Sequence, residues 1–301
     1  MERLMQATGK TTLSMVTQLT GAIINIILDP LLILGIGPFP RLEVKGAAIA
    51  TVIGQFIAFA IGIILHTKLN KEIKISFKKF KPNGKTILEI YKIGVPSIIM
   101  VAIGSFMTFC LNKILLSFSS TAAAVFGVYF KLQSFVFMPV FGLNNGVIPI
   151  IAFNYGAKNK ERIIATLRFG CTLAVSIMAL GTLLMWLFPE TMLRLFDASE
   201  DMLALGVPAL RTISSSFVVA ALCINLGAIF QALGRSYYSM VVSFARQLIV
   251  LLPVAYLLSR TGVLNYVWLA FPIAELMSLA VTLIFFRKVN KTLIKNIGKT
   301  E

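Results

Sequence analysis

Eight stretches of this chain are long and apolar enough to cross a hydrocarbon core of roughly 30 Å, and that limits the fold before any motif is considered. They fall at about 12–35, 46–66, 93–117, 121–145, 163–188, 205–230, 238–259 and 265–286. A backbone inside lipid must satisfy its own polar groups, so each run is a helix. The expected fold class is an all-α integral membrane protein, a polytopic helix bundle. Composition agrees: 13% of the 301 residues are charged, against about 25% in soluble domains.

The net charge of +16 raises the question of nucleic acid, and the placement of the charge answers it. Twenty of the 28 Lys and Arg lie in five short segments between or beyond the apolar runs. These are Arg3 and Lys10, the lysines from Lys68 to Lys92, the group Lys158, Lys160, Arg162 and Arg168, then Arg235, and finally Arg287 to Lys299. Alternating the spans from a cytoplasmic start puts every one of these segments inside, the positive-inside pattern of a membrane protein. Both termini are then cytoplasmic, and the acidic loop 189–204, with Glu190, Asp197, Glu200 and Asp201 against Arg194, falls outside. The expected partner is the lipid bilayer, not nucleic acid. In the polar stretch 67–92 the lysines alternate with Ile73, Ile75, Phe77 and Phe80, which predicts a segment lying on the inner, anionic membrane surface.

A repeat organises the chain. Residues 6–16, QATGKTTLSMV, and 231–241, QALGRSYYSMV, agree at Gln6/Gln231, Ala7/Ala232, Gly9/Gly234, Ser14/Ser239, Met15/Met240 and Val16/Val241, with Lys10 matching Arg235. Each copy is a short polar turn that opens a long apolar run. With 67–92 as the divider, the expected domains are 1–66, the last two helices of a first lobe; 67–92, a basic cytoplasmic linker; and 93–301, a six-helix second lobe. The second copy opens the fifth of six helices. By the repeat its twin does the same, so the reading is an N-terminally truncated chain holding helices 5–12 of an expected twelve.

No catalytic constellation is present: there is no HExxH, no GxSxG, no paired intramembrane carboxylates and no Cys/His cluster. An enzyme is not expected, nor a metal or cofactor. Cys110, Cys171 and Cys223 read as small buried hydrophobes, and His66, beside Lys68 at a helix end, as an interfacial side chain.

Polar groups inside a bilayer are costly and normally face a cavity or a partner. Lys131, mid-span in YFKLQSF, is a candidate to line a cavity, or else it pairs with an acid or with carbonyls freed near Pro139. Arg246 is either a cavity charge or half of an inter-helix ion pair, with Glu275 in FPIAELMSLA as the expected partner. Lys113 and Arg211 lie nearer span ends, within snorkelling distance of the interface. Ser105, Thr108 and Asn112, at i, i+3 and i+7, share one helical face. Gln18, Asn25 and Asp29 form a similar stripe. Arg211 and Asn225, fourteen residues apart, fall within about 40° on an unbroken helix and would share a cavity wall. Asp29, ahead of Pro30, either satisfies groups released by that proline or takes up protons. Asp29 and Glu275 are the candidate coupling acids. Pro30 and Pro139 are candidate hinges, or static kinks.

These residues carry a resemblance. QATGKTTLSM, NIILDPLLILG at 25–35, KGAAIATVIGQ at 45–55, KIGVPSIIM at 92–100, FGVYFKLQSFVFMPVFGLNNGVIPIIAFNYGAK at 126–158 and FQALGRS at 230–236 resemble, in order, the multidrug and toxic compound extrusion (MATE) transporters. The 126–158 segment is most similar to the branch found with multidrug exporters of low-GC Gram-positive bacteria. The resemblance implies a multi-pass protein of the bacterial plasma membrane, a monomer when full length. It implies export of small organic, often cationic, substrates in exchange for H⁺ or Na⁺, with no other cofactor. A lipid-linked oligosaccharide flippase of the same superfamily and a non-functional fragment of the exporter stand as alternatives. The resemblance is incomplete at two acids: sodium-coupled members carry a Glu where Gly104 stands and an Asp near Leu222.

Overall fold

The computed structural model describes residues 1–73, 81–294 and 297, and every regular element among them is a helix. Seven helices are long and apolar enough to cross a membrane, and a bent pair makes an eighth span. The described residues form two compact units, Met1–Pro82 and Asn83–Glu301.

The first unit is a helical hairpin, α2 (Thr11–Leu34) and α3 (Val44–Leu69), preceded by the short α1 (Glu2–Ala7). Lipid offers no hydrophobic drive for two helices to associate, so the pair depends on close backbone approach over small residues. On α3 these recur every fourth position, at Gly46, Ala50, Gly54, Ala58 and Gly62. A Cβ at Gly46 would collide with the Leu32 carbonyl. One at Gly54 would lie 3.0 Å from the Gly21 carbonyl oxygen, and one at Gly62 3.3 Å from Thr17 Cγ2. His66, in the last turn of α3, closes the seam and is 2% exposed. Asn70, the residue that ends α3, reaches its ring at 3.3 Å, and Lys10 donates to the neighbouring Leu69 carbonyl.

The second unit holds α4 (Gly84–Leu116), α5 (Ser120–Gly156), α6 (Lys160–Leu187), α7 (Pro189–Arg194), α8 (Glu200–Ser214) and α9 (Phe217–Ala232). It continues with α10 (Ser236–Phe244), which runs through a π-turn at Ala245–Leu251 into α11 (Leu252–Ser259). The short α12 (Leu264–Val267) and α13 (Ala270–Val289) complete it. Asn and Ser side chains start four of these helices: Asn83 accepts from Lys85 N–H, Ser119 from Ala122, Asn159 from Arg162 and Ser199 from Met202, each satisfying a donor the helix leaves orphaned. The core is made of large side chains. Trp268, Tyr129, Phe126, Phe217 and Phe230 are all but fully buried, and Phe137 meets Phe217 edge-on at 5.0 Å.

Several boundaries differ from the sequence reading. α4 starts at Gly84 rather than 93, so the expected linker is helical at its end. The alternation at Ile75, Phe77 and Phe80 lies outside the described residues. α5 passes through both Pro139 and Pro149 and ends at Gly156 rather than 145, because the loss of a single hydrogen bond does not end a helix supported by neighbours. The 189–204 segment is not a loop; it contains α7 and the start of α8. The sixth span is broken: α8 and α9 meet at 45° across Ser215–Ser216. α2 runs uninterrupted through Pro30, and this break comes where no proline stands. The carbonyls it frees are captured by α6, Arg211 O by Trp186 Nε1 at 3.0 Å and Ser214 O by Thr182 Oγ1 at 3.0 Å. The three cysteines are half-buried rather than buried.

The repeated turns have one geometry. Gly9 has φ +76° and Gly234 φ +69°, in the left-handed region that favours glycine. Gly9 N–H donates to Gln6 O at 3.0 Å and Lys10 N–H to Met5 O at 2.8 Å; Gly234 N–H donates to Gln231 O at 3.1 Å and Arg235 N–H to Phe230 O at 2.7 Å. This paired pattern is the Schellman helix ending, and it explains why the glycine and the polar turn recur.

Candidate functional site

Two groups of membrane-depth polar residues stand out, one in each unit. In the first, Asn25 on α2 places its amide nitrogen 3.3 Å from Asp29 Oδ1 and 3.4 Å from Thr51 Oγ1 on α3. The i, i+4 spacing sets the first contact and the tight hairpin supplies the second. Asp29 sits five residues before the end of α2 and is half-buried. No cation lies within ion-pair distance of it among the described residues. Gln18, on the same stripe, bonds Glu2 at 3.0 Å.

In the second unit, Arg246 in the π-turn donates to Glu275 on α13. The Arg246 side chain is 32% exposed and that of Glu275 10%, so the pair is mostly withdrawn from the surroundings. Tyr129, fully buried, lies within electrostatic reach of both charges. Cys223 on α9 sits beside Ser278 and Thr282, which follow Glu275 at i+3 and i+7 and are buried with it. The π-turn widens the helix by one residue, a device frequent at functional sites. It also brings Gln247 against α4, where a Cβ at Gly104 would lie 3.6 Å from Gln247 Oε1. Gln247 is held by Ser243 Oγ at 2.7 Å.

The remaining sequence candidates do not converge on these groups. Thr108 returns its hydroxyl to Gly104 O at 3.0 Å, while Ser105 is exposed and Asn112 half-buried. Lys113 stands over Phe109 at 5.0 Å. Lys131 lies about 16 Å into α5 from the Ser120 end, exposed, with its ammonium 5.5 Å over the Phe196 ring. Arg211 and Asn225 do not lie on one unbroken helix. The break at Ser215–Ser216 separates them, Arg211 is exposed and Asn225 is 1% exposed, bonded to Ala221 O at 3.3 Å.

Sequence reasoning missed Thr51, Tyr129, Gln247 and the Ser278–Thr282 stripe. The stripe was visible as another i, i+3, i+7 pattern. Thr51 and Tyr129 carry no spacing signal of their own and enter only through their neighbours.

A family model described as MatE matches residues 96–257. The chain is 29% identical over 269 residues to "Multidrug export protein MepA" of Staphylococcus haemolyticus, covering 89% of this chain and 58% of that protein. It is 28% identical over 292 residues to the MepA of Staphylococcus aureus, covering 95% and 62%. It therefore spans about three-fifths of the length of these curated relatives. Its fold matches a structure described as the outward-facing conformation of a multidrug resistance MATE family transporter of the MOP superfamily, with a TM-score of 0.85 at 23% identity, over 99% of this chain and 66% of that one.

Proposed function

The chain belongs to the MatE family, a family of transporters rather than enzymes, and on that premise we propose that it serves in multidrug efflux, exporting small organic cations in exchange for H⁺ or Na⁺. It is a multi-pass protein of the bacterial plasma membrane. The observation that carries the exchange reading is the contrast between the two membrane acids. Glu275 has a permanent guanidinium counter-charge, whereas Asp29 is bonded to the neutral Asn25. An ionised carboxylate in that setting is costly, and binding a proton or a small cation relieves the cost. A proton binds the Asp29 carboxylate with the Asn25 amide as it stands, whereas Na⁺ would require that amide to turn over, so that Asn25, Asp29 and Thr51 present three oxygens together.

Among the cavity candidates, Ser105 and Asn112 make no side-chain hydrogen bond with a described residue, and they lie on one face of α4. We assign them to substrate contact. Arg246 is committed to Glu275 and ties its helix to α13, while Asn225 returns its amide to Ala221 on its own helix. The test is efflux of a fluorescent organic cation from vesicles containing the protein. An imposed proton or sodium gradient drives efflux on this reading; dye retention indifferent to both gradients defeats it.

A further inference from the structure

Lys131 reaches Phe196, sixty-five positions along the chain, and the platform that holds the ring is built for rigidity. Phe196 ends the α7 turn: its N–H donates to Leu193 O at 2.9 Å, and Asp197 N–H donates to Arg194 O at 3.1 Å. Asp197 takes φ +53°, a left-handed turn conformation that Asp adopts more readily than most non-glycine residues. Leu193 is fully buried and packs into the space left by Gly206 on α8, where a Cβ would lie 2.7 Å from Leu193 Cδ1. The backbone that carries the ring is therefore pinned on the Leu193 side, and the ring face already takes an ammonium. The flanking charge favours cations as well. Arg194 is paired with Glu200 at 3.1 Å, while Glu190, Asp197 and Asp201 are exposed and form no ion pair with a described residue.

We propose that Phe196, with the acidic α7–α8 segment around it, is a peripheral binding site for organic cations that the Lys131 ammonium occupies when no ligand is present. A ring face binds a delocalised cation through its quadrupole, and a tethered lysine is the natural competitor. The site is built on α5 and the α7–α8 segment, not on the α4 residues assigned above to substrate contact. Its ligand class rests on the cation-export reading.

The experiment is ethidium binding, followed by fluorescence, to the full chain in lipid nanodiscs. Lys131→Met removes the competitor while keeping the bulk and tightens binding by about three- to tenfold. Phe196→Leu removes the quadrupole while keeping an apolar side chain and weakens binding by about the same factor. Phe196→Trp retains or improves it, which shows that the effect is not misfolding. In the Phe196→Leu background Lys131→Met gives no gain. Unchanged or weaker binding in Lys131→Met, or a gain that persists without the ring, overturns the site. The export reading is judged separately, by gradient-driven efflux, so failure of one leaves the other standing.

Discussion

The two units solve the same problem, helix association where burial of apolar surface contributes little, in opposite ways. The first brings two backbones together along Gly46, Ala50, Gly54 and Gly62, with a small neutral network at Asn25 and Thr51. The second wedges Trp268, Tyr129, Phe126 and Phe217 between helices and places a full ion pair among them. The difference also separates the two membrane acids. Glu275 is paired in place with Arg246, whereas Asp29 has no ion pair with a described residue. On the exchange reading proposed above, Glu275 is scaffold and Asp29 is the group whose charge an arriving ion changes.

The largest effect that can break this comparison is in the second unit. Removing one partner of a buried pair strands the other charge, at a cost of about 3–5 kcal/mol. Arg246→Met or Glu275→Leu alone is expected to lower the thermal unfolding midpoint steeply. The double variant recovers most of the loss, because two apolar groups leave nothing stranded. Recovery by exchange of the two charges, Arg246→Glu with Glu275→Arg, makes the same point. Single variants as stable as the parent would show that the pair is not scaffold.

Next comes the seam of the first unit. Gly46→Ala forces a methyl against the Leu32 carbonyl, which is backbone and cannot swing away, and overpacking of this kind costs about 1–3 kcal/mol. Gly54→Ala, with 3.0 Å available, costs less. Gly94→Ala and Gly127→Ala, on second-unit helices with nothing within 4 Å of the added Cβ, are neutral or slightly stabilising, since a helical alanine is favoured over glycine. Unfolding midpoints of the four variants test that order.

The smallest effect concerns the two repeated turns. Neither Gly9 nor Gly234 has any atom within 4 Å of the place a Cβ would take, so only the left-handed backbone opposes alanine, at about 1–2 kcal/mol. Gly9→Ala and Gly234→Ala are expected to cost the same in unfolding measurements. Unequal costs would mean that the turns differ in function despite their shared hydrogen bonds.

What the sequence made legible follows the range of each interaction. The spans were readable because lipid imposes a length and a composition on them. Asn25 and Asp29 were readable as a pair because i, i+4 spacing fixes their proximity. The partnership of Arg246 and Glu275 was readable because two opposite charges on consecutive spans have few other ways to be neutralised. The break at Ser215–Ser216 was not legible: its stability depends on Thr182 and Trp186, which lie on another helix. The contact of Lys131 with Phe196 was not legible for a related reason: it depends on how α7 is pinned through Gly206.

The central claim is that Asp29, not Glu275, answers the coupling ion. The most direct measurement is gradient-driven efflux of a fluorescent cation from vesicles carrying the parent or Asp29→Asn, each checked for thermal stability. The prediction is that Asp29→Asn remains folded, with its midpoint close to the parent's, and loses the response to an imposed proton or sodium gradient. Efflux by a folded Asp29→Asn that still follows the gradient as the parent does would contradict the account.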